Sequence, residues 1–281
     1  MAYSLYMGRL YRISHAFKEN SKPITREFAY YRDLFAITTL IQGSGVCYVE
    51  GNRYQLKVGE PILLRPDELR CYKYDGNAVH ERMTIYLQPA FLSFFLEQNY
   101  DVSLKQLFMD HLPGERNVIP LNDAQRDYVL SIFREIRDKL PPKRDEMEPT
   151  CAAEVHLLIL RLLMTLYRLN DKNAGSWNND PVIQKICHYI HNNLNQPLSH
   201  EHIRKHCHVS RYQLGELFPR NTGMTLIEYI NRKRIIKVIE LVRNGVGIER
   251  AADMAGFGNY SYFYKVFKKE KGVSPRKYFE E

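Results

Sequence analysis

Six histidines crowd residues 188–208: His188, His191, His200, His202, His206 and His208. His202 and His206 stand at i, i+4, the spacing that puts two imidazoles on one helix face, as zinc ligands require. A zinc site would want a further thiolate or carboxylate, and Cys207 is the only close thiol. The same residues fit a hydrated, mildly cationic surface, and that plainer reading is preferred. Elsewhere "GSGVCYVEG" holds no His-x-His pair and His80 stands alone. No Ser/His/Asp order and no Gly-rich phosphate loop appears. The chain is expected to be no enzyme and to hold no metal or cofactor.

A second chemistry is recognition of a polyanion. The 281 residues carry a formal charge of +8. Residues 182–281 hold 17 Lys+Arg against 9 Asp+Glu; the remainder of the chain holds 23 of each. All the excess positive charge therefore lies in the last hundred residues, which points to a polyanionic partner for that part alone. Within it, "NYSYFYKVFKKEK" interleaves tyrosines and lysines on one short segment.

The elements that position these residues follow from periodicity. Between Phe28 and Leu87, "LFAITTLI", "GVCYVEG", "RYQLKVG", "PILLRP" and "HERMTIYL" are short, β-branched and aromatic, and glycines and prolines separate them. This spacing predicts a small antiparallel barrel or sandwich. "NDAQRDYVLSIFREIRDKL" predicts a capped helix over 122–140. A further helix near 151–169 sets Val155, Ile159, Leu162 and Leu166 at spacings of 4, 3 and 4, an a/d seam suited to pairing subunits. Its most apolar run, "VHLLILRLLMTLYRL", is broken by His156 and Arg161 and is short for a bilayer. No apolar leader opens the chain, and its five cysteines form no CxxC pair, so a cytoplasmic protein is expected. "NDKNAGSWNNDP" reads as a linker.

The last hundred residues repeat. "SRYQLGELFPRNTGMTLIEY" has Phe218, Gly223, Thr225 and Tyr229; "YFYKVFKKEKGVSPRKY" has Phe267, Gly272, Ser274 and Tyr278. Both copies give offsets of 5, 7 and 11 from the phenylalanine, and Leu214 and Phe263 each sit four residues before it. Capping boxes, Ser210 with Gln213 and Thr225 with Glu228, open two of the helices. Each copy reads as short helix, tight turn, second helix. A long helix of about 19 residues, roughly 28 Å, joins them. A doubled helix-turn-helix with a basic balance is a nucleic-acid module, and its two recognition helices are spaced for successive major grooves.

Over "GFGNYSYFYKVFKKEKGVSPRKYF" the chain resembles the DNA-binding domain of the AraC/XylS family of bacterial transcription regulators. "GNRYQLKVGEPILLRPDE" resembles, more weakly, that family's cupin-like sensor barrel. The resemblance implies an α+β architecture: an effector-sensing barrel (1–115), a helical dimerisation segment (116–170), a linker (171–181), and an all-α double helix-turn-helix domain (182–281). It implies a homodimeric regulator, more often an activator, that binds promoter DNA and RNA polymerase and responds to a small effector. An effector-independent regulator and a cupin-type enzyme are the alternatives.

Expected DNA contacts are Ser210, Arg211, Tyr212, Glu216 and Arg234, with Asn259, Tyr260, Ser261, Tyr262, Lys265, Lys268 and Lys269 in the second motif. Lys271 is expected on phosphates too. Arg65, Arg70, Tyr72 and His80 are candidate effector contacts, and Val155, Ile159, Leu162 and Leu166 candidate dimer contacts. The first motif departs from the family. Gly215 and Glu216 stand where longer polar or basic residues are usual. Pro219 should bend the helix. Arg204 and His208 replace small residues at the turn, which predicts a looser turn.

Overall fold

The computed structural model describes residues 2–7, 10–18, 27–29, 34–66, 68–75, 79–93, 103–111, 113–141, 147–170 and 180–280. The chain divides into two compact units, Met1–Val49 with Arg53–Asn178, and Asn179–Glu281 with Glu50–Asn52. Of the expected linker, only Asp180 and Pro181 fall among the described residues.

The first unit is built on strands β1 (Ala2–Met7), β2 (Tyr11–Lys18), β3 (Glu27–Ala29), β4 (Phe35–Gln42), β5 (Gly45–Val49), β6 (Asn52–Leu56), β7 (Ile62–Leu64), β8 (Arg70–Tyr74) and β9 (His80–Leu87). They form a five-stranded sheet, β1-β2-β9-β4-β7, and a four-stranded sheet, β3-β8-β5-β6. Ala36, Leu40, Ile62, Leu64 and Tyr86 of the first sheet meet Cys47, Val49, Tyr54, Leu56, Tyr72 and Tyr74 of the second in one apolar layer. "LFAITTLI" is apolar on both faces because β4 is covered on both. Phe35, Ile37 and Ile41 turn the other way, into a layer shared with the helices. Strands β1 and β2 precede the region where strands were expected, and pair antiparallel from Ala2↔Phe17 to Met7↔Arg12.

Among the described residues four helices follow: α1 (Pro89–Ser93), α2 (Gln106–Met109), α3 (Asp123–Asp138) and α4 (Pro149–Asn170). Asn122 caps α3 in a full capping box with Gln125. At 22 residues, α4 is long and apolar enough by length and composition to cross a membrane, and longer than its apolar run suggested. Its seam corrects a second expectation. Val155, Ile159, Leu162 and Leu166 are each 0% exposed and pack with Ile13, Ile37, Met83 and Phe133 inside the chain. Burying each such side chain contributes roughly 1.5–3 kcal/mol. None of the four can face a partner. On the outer side of α4, Ala153 and Leu157 are exposed, Leu157 to 65%, while Leu160 and Met164 are half-buried against the core.

The second unit is helical among its described residues: α5 (Pro181–Asn192), α6 (His200–Cys207), a π-turn (Gln213–Leu217) running into α7 (Phe218–Thr222), α8 (Leu226–Arg243), α9 (Ile248–Met254), α10 (Tyr260–Lys271) and α11 (Pro275–Glu280). Asp180 caps α5 ahead of Pro181. Its buried face is Ile183, Ile186, Cys187 and Ile190.

Candidate nucleic-acid interface

The repeat in the sequence is a repeat in the structure. Gly223 and Gly272 both end a helix in the left-handed region, at φ 72° and 76°. Phe218 meets Tyr229 edge-on with ring centroids 5.5 Å apart, and Phe267 meets Tyr278 the same way at 5.4 Å. Thr225 caps α8 and Ser274 accepts from the Lys277 N–H. Leu214, Phe218, Phe263 and Phe267 are all buried. Two helix-turn-helix motifs (α6 to α7, and α9 to α10) are thus one small core written twice, joined by the 18 residues of α8.

In the second motif the Asn259 side chain accepts from the Tyr262 N–H and starts α10. Phe263 and Phe267 anchor it inward against Ala251, Ala252, Ala255 and Phe257. That leaves Asn259, Tyr260, Ser261, Tyr262, Lys265, Lys268 and Lys269 exposed on the opposite side. Tyr264, unnamed in the sequence reading, is 38% exposed. Its i+4 spacing from Tyr260 was the available signal. The Tyr262 hydroxyl accepts from Asn231 Nδ2 of α8 at 2.8 Å, so that ring is held in place while 45% exposed. Between α9 and the start of α10 lies a cleft of about 680 Å³, bordered by Ile248, Arg250, Asp253, Asn259 and Tyr260.

Two cations expected on DNA are engaged elsewhere. Arg234 is half-buried and donates from Nε to the Leu194 carbonyl (3.0 Å) and from Nη2 to the Gln196 carbonyl (2.8 Å). Its guanidinium also lies 5.9 Å from the Phe257 ring centroid. Desolvation lowers its pKa. It ties the chain after α5 to α8 and is removed from the DNA face. Lys271 is half-buried over the Tyr278 ring, and burial lowers its pKa too.

The first motif is built differently. Ser210 accepts from the Gln213 N–H and donates its own N–H to Gln213 Oε1, the expected capping box. Arg211, Tyr212, Gly215, Glu216 and Arg220 are exposed. Pro219 does more than bend the helix. Lacking an N–H, it cannot bond to the carbonyl four residues back, and its ring crowds that carbonyl. The helix responds with a π-turn, in which the Phe218 N–H reaches the Gln213 carbonyl. The preceding turn keeps a tight left-handed residue, His208 at φ 54°, in place of the looser turn expected. Arg204 pairs with Glu201. His202 and His206 stack at 4.1 Å, and the Tyr189 hydroxyl bonds His202 Nε2 at 2.9 Å. Among the described residues no His/Cys/Asp/Glu group could hold a metal.

In the first unit, Arg70, Tyr72 and Tyr74 share one face of β8, and β9 turns His80 and Arg82 toward the same layer. Arg70 is 1% exposed. Arg82 lies 4.9 Å from the Tyr72 ring centroid and donates to the Tyr74 hydroxyl, and His80 stacks on Tyr74 at 4.5 Å. Burial pushes the pKa of Cys47 and Tyr72 well up. Arg65 stands apart, in the loop after β7, donating to the His111 carbonyl.

Residues 30–163 match the model of the AraC-like ligand binding domain, and residues 204–281 that of a helix-turn-helix domain. The transcriptional activator RhaS of Citrobacter koseri is 24% identical over 250 residues, covering 88% of this chain and 85% of its own. RhaS of Salmonella schwarzengrund is 23% identical over 249 residues, with the same shares covered. The crystal structure of ToxT from Vibrio cholerae aligns at TM-score 0.40 and 16% identity over 96% of this chain and 97% of that one. With an AraC-like ligand-binding unit ahead of a doubled helix-turn-helix, the chain belongs to the AraC/XylS family of transcription regulators and binds DNA sequence-specifically.

Proposed function

We propose that the protein is a cytoplasmic transcription activator that binds promoter DNA through both helix-turn-helix motifs and answers to a small effector held in its first unit. The observation carrying this is the doubled motif itself, whose two cores share the Phe218/Phe267 and Leu214/Phe263 anchors and the Gly223/Gly272 turn while each leaves one helix face exposed. Tyr260, Ser261, Tyr264 and Lys265 stand where base edges would be read, and Lys268 and Lys269 where phosphates would be met. Asn259, Tyr262, Ser210, Arg211, Tyr212 and Glu216 complete the surface. Relatives named as activators support the sign of regulation and, with it, contact with RNA polymerase.

The effector would sit against the layer formed by Arg70, Tyr72, Tyr74, His80 and Arg82, where guanidinium, phenol and imidazole groups offer donors to a polar or anionic molecule. The homodimer would form through the exposed face of α4 around Ala153 and Leu157, since the inner seam is occupied. The test is genome-wide mapping of bound DNA, followed by duplex binding at several salt concentrations. A promoter-located, salt-sensitive site is expected. A chain with no salt-sensitive affinity for any duplex would end this reading.

A further inference from the structure

The two recognition helices have equivalent cores and opposite surfaces. On the 49-residue repeat, Leu214 stands for Phe263 and Phe218 for Phe267, all buried. Between them, Gly215 stands for Tyr264 and Glu216 for Lys265; beyond, Pro219 stands for Lys268. The first helix therefore lacks a side chain where the second has an aromatic ring, and carries a carboxylate where the second has an ammonium group.

Three observations bear on that carboxylate. Glu216 is exposed, and among the described residues it holds no ion pair and no hydrogen bond, although Arg220 stands at i+4. A Cβ built on Gly215 meets nothing within 4 Å, so the helix surface beside Glu216 is open backbone. The π-turn at Gln213–Leu217 spans both residues, and the Phe218 N–H reaches back five residues to close it. A turn widened in this way pushes its outer residues away from the helix axis. A carboxylate facing a phosphate backbone is repelled. In the major groove, its favourable partner among base edges is the cytosine N4 amino group.

We propose that the first recognition helix reads a cytosine, with the Glu216 carboxylate accepting from N4. The bare step at Gly215 and the proline-forced π-turn bring that carboxylate to the base edge. The first motif thus adds a base contact of its own kind, while the second helix, which reads bases through Tyr264 and Lys265, also brings Lys268 and Lys269 to the phosphates. This rests on the sequence-specific DNA binding already described, and it assigns a specificity-determining residue within it.

The experiment is selection of bound sequences from a random duplex library by the full chain, comparing wild type with Glu216→Ala, Glu216→Gln and Gly215→Gln. The wild type is expected to select a cytosine at one position that Lys265→Ala leaves untouched. Glu216→Ala makes that position degenerate, lowering discrimination by roughly 5- to 100-fold. Its salt dependence on random duplex stays the same, because no cation is lost. Glu216→Gln admits adenine there, which a side-chain amide can bond in two places. Gly215→Gln weakens the same position by holding the backbone off. Three variants at Glu216 and Gly215 that all keep the wild-type sequence preference would overturn the assignment and leave DNA binding standing. A wild type with no sequence preference at all would overturn both.

Discussion

Arg234 separates two accounts of the second unit by experiment. As a phosphate contact it would be one cation among several; the structure makes it a strut between the chain after α5 and α8. Its Nε bond to the Leu194 carbonyl (3.0 Å) is the costly one to lose. That carbonyl lies 2.1 Å from where a Cβ on Gly256 would stand, so it is closely covered. A covered carbonyl stripped of a charged donor costs about 1.5–3 kcal/mol. The Gln196 carbonyl is exposed, regains water when Arg234 is removed, and adds about 0.5 kcal/mol. The approach to the Phe257 ring, 5.9 Å, adds about 0.5 kcal/mol more. Arg234→Ala should therefore destabilise the second unit by roughly 2.5–4 kcal/mol. For a unit of about a hundred residues that is a fall in melting temperature on the order of 10 °C or more. Lysine should recover little, because a single ammonium cannot hold two carbonyls with a fixed fork. Calorimetry of the full chain gives the melting shift, and duplex binding between low and moderate salt gives the slope. The expected pair is a lower melting temperature and an unchanged slope. A variant that melts like wild type while its salt slope falls by about one would refute the strut and restore the phosphate contact.

Other substitutions probe the remaining features. Gly256→Ala should unfold or severely destabilise the second unit, by more than ~2 kcal/mol, since the residue sits at φ 91° with backbone 2.1 Å from the new methyl; circular dichroism and melting would show it. His208→Gly should raise stability by about 0.5–1 kcal/mol in urea unfolding, because the turn already holds a left-handed φ of 54° that a β-carbon resists. Lys268→Ala should weaken binding to all duplexes alike and reduce the salt slope by about one, without moving the melting temperature. Leu157→Glu, at a position 65% exposed, should abolish dimers in sedimentation without unfolding the first unit, whereas Leu162→Glu should unfold it.

What the sequence made legible divides along physical lines. Caps and repeats are local, so Ser210, Thr225, Asn122 and Asn259 all open helices as their side-chain chemistry demands. The offsets shared by Phe218 and Phe267 survived because a core must reuse the same volumes. Surface roles were harder to read. Arg234 and Arg211 look alike in a string of letters; only the fold shows that one meets two carbonyls while the other stays exposed. The α4 seam misled for a related reason, since an a/d pattern records that a helix is covered and not by what. Strand β2 escaped notice because Ser14 is buried where a polar residue should face out, so "YRISHAFK" never alternates cleanly.

The likeness of the cores and the difference of the surfaces have a joint consequence for the DNA. Two motifs with one scaffold, spaced by an 18-residue helix of roughly 27 Å, would in the proposed complex address successive major grooves from a single chain. Had both faces carried the same residues, one chain would prefer two similar half-sites. Here one face offers Tyr264, Lys265 and Lys268, and the other Gly215, Glu216 and Pro219. A single chain should then occupy an asymmetric site of two unlike halves about one helical turn apart, with its orientation set by the sequence. Reversing one half relative to the other should cost far more affinity than changing the bases between them. If inverted and direct arrangements bind equally, the two faces do not read different bases and the division of roles fails.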